Sequence, residues 1–286
     1  MDISTGNVTF GLTCPGILMQ RLQEEDLENV RKIKKLQTSF SKGQVTWQCP
    51  VGCNDLNIVR NFIEAIDALE ELSVLNYEAD TSFLWGAIFH HAKSLSSLAI
   101  HTPPQWQFDT WTPSTVKQIH DRLPQLKNIE LHISLEEAES RLKGDNPSQL
   151  STTGQQTLSV LDELAKIDRL ESVIINVNLQ DAPSAFAGEH TWNVMGCISF
   201  PAPNKEPCKQ LAQQIYHAFH TNTSKSSLKH LELRFPRRCW DDRCQFWTLA
   251  YSVHIKKEES QVKVVEEDGW KGYLPQWPPY GDRVLR

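Results

Sequence analysis

The sequence lacks the long apolar segments that would place it in a membrane or direct it to export. Nowhere do about 18 consecutive apolar residues occur, so we expect no transmembrane helix. The first 20 residues have neither the basic start nor the apolar middle of a signal peptide. Seven cysteines, an odd number, fit reduced intracellular thiols better than a disulfide framework. These absences predict a cytoplasmic or nuclear protein.

Motifs that carry common chemistry are also missing. The chain has no G-x-x-x-x-G-K-[ST] phosphate loop, no G-x-G-x-x-G motif and no G-x-S-x-G motif. The pairs Cys49/Cys53 and Cys239/Cys244 lack the tight two-residue spacing that makes zinc-binding pairs specific. His217 lies three residues before a second histidine, with no glutamate between them to act as the base of a zinc-protease helix. We therefore expect no catalytic residues, no metal and no cofactor, and we favour a protein that is not an enzyme.

Basic residues are too few for a nucleic-acid binder. The chain of 286 residues has 29 Lys and Arg against 35 Asp and Glu, a formal charge of −6. Its 40% hydrophobic residues and nine tryptophans exclude a disordered chain. The length allows one large domain or two small ones.

The chain does contain a short repeated pattern: a Leu, two polar residues, an aliphatic residue, one further residue and another aliphatic. Each copy follows a segment whose apolar residues have helical spacing, so the unit is a helix followed by a strand. The five copies and one weaker copy predict six or seven units. The copies begin at Leu69, Leu95, Leu126, Leu170 and Leu228, and the weaker one at Ile33.

Burial explains why such units stack side by side. In a strand, two aliphatic residues two positions apart point to the same face. The first Leu and the two strand aliphatics are then buried against the preceding helix, and one unit alone cannot cover that face. Because each strand is reached through a helix, we expect parallel strands.

The Leu-x-x-Leu-x-Leu segments resemble the strands of leucine-rich-repeat proteins, in the degenerate form found in the C-terminal halves of filamentous-fungal F-box-type proteins. The resemblance covers roughly residues 16–236. It implies an α/β solenoid, with parallel strands on one face and helices on the other, that binds proteins. It also implies substrate recognition for a cullin ligase, but residues 1–50 contain no counterpart of the F-box that would dock on the ligase adaptor.

The pattern changes after Phe235. Two β-rich segments, Phe246–Ile255 and Gln261–Tyr273, are joined by a charged connection and predict a β-hairpin. We expect an irregular leucine-rich-repeat-like array over residues 1–236. Residues 237–286 are expected to form a hairpin cap and tail.

The strand residues that alternate with the buried aliphatics are expected to form an open face. This face is our candidate binding site for another protein, and its acids favour a partner with basic residues at the contact. No nucleic acid and no membrane are expected as partners. The residues are Ser73, Leu75, Tyr77, Ala99, His101, Glu130, His132, Ile174, Asn176, Glu232 and Arg234.

An enzyme is the alternative that the same pattern leaves open. Alternating helices and strands also build a (β/α)8 barrel, whose active groups lie at the C-terminal ends of its strands. Glu78, Asp80 and Asp181 would then be candidate carboxylates of a hydrolase such as a glycosidase. A barrel needs eight strands in a closed ring, and the sequence provides six or seven before the hairpin.

Overall fold

The chain is an α/β protein in which helices and strands alternate. The structure is a computed structural model that describes residues 6–9, 15–40, 56–76, 82–101, 111–143, 159–177, 204–222, 226–241, 244–258 and 261–272. It has two compact units, Met1–Glu130 and Leu131–Arg286. The division between them falls within one strand, Asn128–Ile133.

The first unit consists of parallel strands. Each strand after the first one is preceded by at least one helix. The strands are β1 (Asn7–Thr9), β2 (Lys35–Phe40), β3 (Glu71–Asn76), β4 (Ser97–His101) and the beginning of β5 (Asn128–Ile133). The helices are α1 (Pro15–Glu25), α2 (Leu27–Arg31), α3 (Leu56–Ala65), α4 (Ser82–His90) and α5 (Pro113–Arg122). Each strand pairs in parallel with the next one along the chain, as predicted.

The two polar residues of each Leu-x-x-Leu pattern have the same backbone role in successive units. The amides of Glu70 and Glu71 both donate to the carbonyl of Lys34, at 2.8 and 3.0 Å. The amides of Ser96 and Ser97 donate in the same way to the carbonyl of Glu70. The pattern also recurs where β2 begins on β1, where β5 begins on β4, and between residues 229–230 and Glu171 in the second unit. This repeated contact fixes one register at the start of every such strand.

The aliphatic residues of the pattern form the core, as predicted. Leu36, Leu72, Leu98 and Ile129 lie side by side on neighbouring strands, and each is at most 2% exposed. The first residue of every copy, from Ile33 to Leu228, is buried too. These first residues are Ile33, Leu69, Leu95, Leu126, Leu170 and Leu228. Removing this apolar surface from water is the main force that holds the helix against its strand.

The second unit ends differently. Its elements after β5 are α6 (Leu135–Leu142), α7 (Val160–Leu164), β6 (Ser172–Val177), α8 (Lys205–Asn222), β7 (His230–Asp241), β8 (Cys244–Glu258) and β9 (Gln261–Gly272). Strands β6 and β7 are parallel, whereas β7, β8 and β9 pair antiparallel. The predicted hairpin is confirmed as β8 and β9, with Glu258 opposite Gln261.

Two features of this end depart from the sequence-based expectation. Strand β7 continues through Pro236 to Asp241, past the expected end of the array, with a register shift between Phe235 and Pro236. Strand β8 pairs with β7 along this added length, so the sheet continues from β7 into the hairpin. Antiparallel strands also differ from the eight parallel strands of a (β/α)8 barrel. Its candidate carboxylates Glu78, Asp80 and Asp181 lie outside the described residues.

The longest described helix, α8, is amphipathic. Leu211, Ile215 and Phe219 are buried at spacings of four residues, and Gln213 and His217 are exposed on the other side. None of the described helices combines the length and the apolar character that a membrane-spanning segment needs.

Candidate functional site

The strand face opposite the aliphatic core is the surface that the sequence analysis selects. In the first unit, Ser73 lies opposite Ala99 in the register, and Ala99 lies opposite Glu130. All three are partly exposed. Neighbouring strands are about 4.8 Å apart, so the three residues form a row about 10 Å long. We call Ser73, Ala99 and Glu130 the first-unit row.

Small side chains occupy most of this row. Ser73 and Ala99 project little beyond the backbone, whereas Glu130 places a carboxylate at the end of the row. Beside it, Lys35 and Glu71 lie opposite each other on β2 and β3 and form an ion pair of 2.5 Å between half-exposed side chains. Apart from Glu130, the row therefore carries only short side chains.

The remaining residues of the predicted face differ in how far they are exposed to solvent. His132 and Ile174 are partly exposed, Asn176 and Glu232 are buried, and Arg234 is partly exposed. For Leu75 and His101 the structure describes the backbone, in β3 and β4, and not the side chains. Tyr77 lies outside the described residues.

The burial of Asn176 and Glu232 corrects the expectation of a fully open face. Asn176 is 0% exposed, and its side-chain amide donates to the carbonyl of Leu131 at 3.3 Å. Glu232 is 6% exposed, although it is charged and projects from the face opposite the core. A buried carboxylate needs partners, because removing it from water is costly unless it is hydrogen-bonded and paired. Glu232 therefore belongs to an internal polar network.

Arg234 is the main partner of Glu232. Its Nε donates to Oε1 at 2.6 Å, and a terminal guanidinium nitrogen approaches Oε2 at 3.3 Å. The two residues are two positions apart on β7, so their side chains lie on the same face of the strand. This forked contact gives each carboxylate oxygen one charged hydrogen-bond donor.

Two histidines lie beside the same carboxylate. His254 on β8 is directly opposite Glu232 in the register, and its Nδ1 is 3.7 Å from Glu232 Oε2. His230 lies two residues before Glu232 on β7. Its ring stacks on that of His254, with 5.8 Å between centroids and 17° between planes. Potential ligand atoms of the three side chains all lie within 4.8 Å of one another. We call His230, Glu232 and His254 the histidine cluster.

A serine contacts the second ring nitrogen of each histidine. The Oγ of Ser172, on β6, is 3.2 Å from His230 Nδ1, and the Oγ of Ser252, on β8, is 3.0 Å from His254 Nε2. His230 Nε2 is buried and has no hydrogen-bond partner among the described residues. Burial lowers the pKa of His230, and His254 lowers it further, whereas nearby Glu232 raises it. The lowered pKa favours the neutral ring.

Within the described part of the chain, the histidine cluster is the one group of three or more His, Cys, Asp or Glu side chains that could hold a metal ion. Cys49 and Cys53 lie outside the described residues, and for Cys239 and Cys244 the structure describes the backbone but not the side chains. Cys208 is buried in α8, and burial raises the pKa of its thiol, so it is a poor nucleophile at neutral pH.

Sequence reasoning placed Glu232 and Arg234 on one face, but it missed His230, His254 and both serines. The signal was present as two alternating segments, His230-Leu-Glu-Leu-Arg234 and Ser252-Val-His-Ile-Lys256. Each segment puts its polar residues on one side. The antiparallel register of β7 and β8 brings the two segments together, and no local sequence pattern indicates that register.

Comparison with protein-family models, with curated proteins and with solved structures finds no match to this chain.

Proposed function

We propose that the chain is a non-catalytic protein-interaction module, and that the first-unit row contacts a partner protein. The supporting observation is the register that aligns Ser73, Ala99 and Glu130 on three neighbouring parallel strands while leaving all three partly exposed. Proteins built from stacked repeats commonly bind partners along such rows of strand residues. A parallel sheet whose outer residues stay partly exposed on one face is otherwise unusual.

The chemistry of the row favours a partner with basic residues. Ser73 and Ala99 have short side chains, and Glu130 carries a carboxylate about one strand spacing beyond Ala99. A Lys or Arg extended over Ala99 can reach that carboxylate. At a partly exposed site, such a charge pair contributes more to the association rate and to selectivity than to affinity.

The repeated amide-to-carbonyl contacts at the strand starts support the finer proposal of a leucine-rich-repeat-like solenoid. A still narrower proposal is an F-box-type substrate receptor, and it rests on the motif resemblance alone.

The experiment compares partners of three full-length proteins: wild type, a row variant (Ser73→Arg with Ala99→Arg) and a helix-face control (Lys117→Glu). Lys117 is exposed on α5. Each is expressed with an affinity tag in its native cells, and captured proteins are quantified by mass spectrometry. We expect at least one partner that the wild type and the control retain and the row variant loses. Direct binding to that purified partner should weaken with added salt.

Equal capture by all three proteins would contradict the proposal, provided that circular dichroism and thermal melting show the row variant to be folded. The F-box version makes a separate prediction. A receptor holds its adaptor and its substrate on different surfaces, so the row variant should keep the cullin ligase adaptor and lose the substrate.

A further inference from the structure

The histidine cluster has a composition that suits a divalent transition metal. Two imidazole nitrogens and one carboxylate oxygen are a ligand set used by zinc and by other first-row ions. In a tetrahedral zinc site, ligand atoms are about 3.3 Å apart, given metal–ligand distances of about 2.0–2.1 Å. The gap between His254 Nδ1 and Glu232 Oε2 is 3.7 Å, and no gap in the cluster exceeds 4.8 Å. A bound zinc ion would bring His254 Nδ1 and Glu232 Oε2 about 0.4 Å closer together.

The backbone already holds the three ligands on one frame. Glu232 and His254 are directly paired across β7 and β8, and His230 is on the same face of β7. Val173, Leu231 and Ile255 lie opposite one another on β6, β7 and β8 and are buried on the core side beneath them. The positions of the three Cα atoms are therefore set by packing.

Each serine hydroxyl can accept a hydrogen bond from one ring nitrogen of its histidine, which leaves the other ring nitrogen able to bind a metal. If His230 Nδ1 carries the proton and donates it to Ser172 Oγ, its Nε2 is a bare acceptor. In the same way, a proton on His254 Nε2 donated to Ser252 Oγ leaves Nδ1 bare, on the side of Glu232. Hydrogen bonding of the second ring nitrogen is how proteins orient metal-binding histidines.

From this geometry we propose that His230 Nε2, Glu232 Oε2 and His254 Nδ1 bind one divalent transition-metal ion, with Zn²⁺ as the best-fitting ion. The site would give a partner to His230 Nε2, a buried atom with no hydrogen bond among the described residues. Arg234 orients Glu232 mainly by donating from Nε to the other carboxylate oxygen, Oε1, at 2.6 Å; its longer contact of 3.3 Å to Oε2 is the one that a bound ion would replace. The inference is independent of the proposed protein-binding role, which concerns the first-unit row.

The net charge of the site determines which fourth ligand completes the coordination of the bound ion. The Glu232 carboxylate and the Arg234 guanidinium cancel, so a bound ion of charge +2 remains uncompensated by these side chains. Three protein ligands leave a tetrahedral ion one position. A hydroxide or a small carboxylate fits that position better than a neutral ligand does, because it neutralises part of the charge in a low-dielectric site.

The test is zinc binding by the full-length chain after treatment with a chelator. Binding of ZnCl₂ is measured by equilibrium dialysis and by isothermal titration calorimetry. The wild type is compared with His230→Gln and with His254→Gln. The matched control is His217→Gln, which removes an exposed histidine from α8. Because the seven cysteines can also bind zinc, the quantity that matters is the difference between each variant and the wild type.

We expect the wild type and the control to bind one more equivalent of zinc than either cluster variant, or to bind that equivalent at least about 10- to 100-fold more tightly, because loss of an outer hydrogen-bond partner alone weakens metal binding by about that factor. Zinc should raise the melting temperature of the wild type and the control only. Ser172→Ala should weaken binding by about tenfold, through the loss of ring orientation.

His230→Gln keeps the test decisive if His254→Gln fails to fold, because it leaves the pairing of Glu232 with Arg234 and with His254 intact. A folded His230→Gln protein that binds zinc with the stoichiometry and affinity of the wild type would overturn the proposal. The cluster would then be a purely structural polar network.

Discussion

The two units use the same strand alternation but place its outer residues in different surroundings. In the first unit, Lys35 and Glu71 pair across β2 and β3 with side chains that are 50% and 45% exposed. In the second unit, Glu232 and Arg234 pair on the corresponding face with side chains that are only 9% and 18% exposed. Alternation assigns a side chain to a face, and the rest of the fold determines whether that face meets water.

This difference changes what a charged pair contributes. A half-exposed pair is screened by water and contributes little to stability. A buried pair contributes little net stability as well, because desolvation offsets its attraction, yet breaking it is costly since a charge is left behind. The second unit therefore depends on its outer face in a way that the first unit does not.

The largest effect that we predict tests this contrast directly. Glu232→Ala should lower the free energy of unfolding by about 3–5 kcal/mol, because the Arg234 guanidinium, with only 18% of its side chain exposed, loses its carboxylate. Glu71→Ala, at the exposed pair, should cost less than about 1 kcal/mol. Urea denaturation of both variants measures the two losses.

A double variant separates the effect of the ion pair on stability from the effect of burying these two side chains. Glu232→Met with Arg234→Met removes both charges and should recover most of the loss caused by Glu232→Ala. Similar losses for Glu232→Ala and Glu71→Ala would show that the two faces have the same environment, against the difference described above.

The sequence was sufficient to predict the repeated helix–strand unit, the parallel strands and the hairpin. Local information determines these features: two-residue spacing in Leu72 and Val74, helical spacing in Val116 and Ile119, and a charged connection before Gln261. The buried aliphatics confirm this part of the prediction.

Local sequence patterns do not predict whether residues on the outer face are buried. Glu130 and Glu232 occupy similar positions in their Leu-x-x-Leu patterns, yet one is partly exposed and the other is buried. The difference depends on contacts between residues distant in sequence, such as Glu232 with His254. The histidine cluster depends in addition on the register between β7 and β8, and a shift of one residue would move its members to opposite faces.

The second prediction concerns how neighbouring repeats are joined in each unit. In the first unit, His91 accepts a hydrogen bond from the Leu69 amide at 3.4 Å and lies 2.9 Å from the Ile63 carbonyl through its other ring nitrogen. His91→Leu leaves both backbone groups buried without this partner, so we expect a loss of about 2–4 kcal/mol. In the second unit, Lys229 joins Glu171 at an exposed ion pair of 2.5 Å, and Lys229→Ala should cost less than about 1 kcal/mol.

The pH dependence of stability gives an independent check on His91. Burial lowers its pKa below the ordinary value of 6.5; neighbouring His90 lowers it as well, while the Ile63 carbonyl and Glu64 raise it. Above pH 6.5 the ring is neutral in both the folded and the unfolded chain. Below that value the unfolded chain takes up the proton first, so stability falls as the pH drops toward the folded pKa. The difference in unfolding free energy between the wild type and His91→Leu should therefore shrink on acidification, and a constant difference would argue against a neutral buried ring.

The smallest predicted effect compares helix caps. In α5, Thr112 Oγ1 accepts a hydrogen bond from the Thr115 amide at 3.1 Å, and Thr112→Ala should cost about 1 kcal/mol. In α7, Ser159 Oγ accepts from the Leu161 amide at 3.1 Å and also lies 2.6 Å from Glu137 Oε1 on α6. Because this cap also joins two helices, Ser159→Ala should cost more, about 1–2 kcal/mol.

A double-mutant cycle isolates that additional connection. Glu137 Oε1 also accepts from the Leu161 amide at 3.0 Å, so one carboxylate oxygen and one hydroxyl serve the same helix start. Ser159→Ala and Glu137→Ala should therefore be coupled by about 0.5–1 kcal/mol, whereas changes at sites without shared partners add independently. Additive losses at Ser159 and Glu137 would mean that the α7 cap acts alone, like the α5 cap, and that the second unit gains nothing from connecting α6 to α7 at this point.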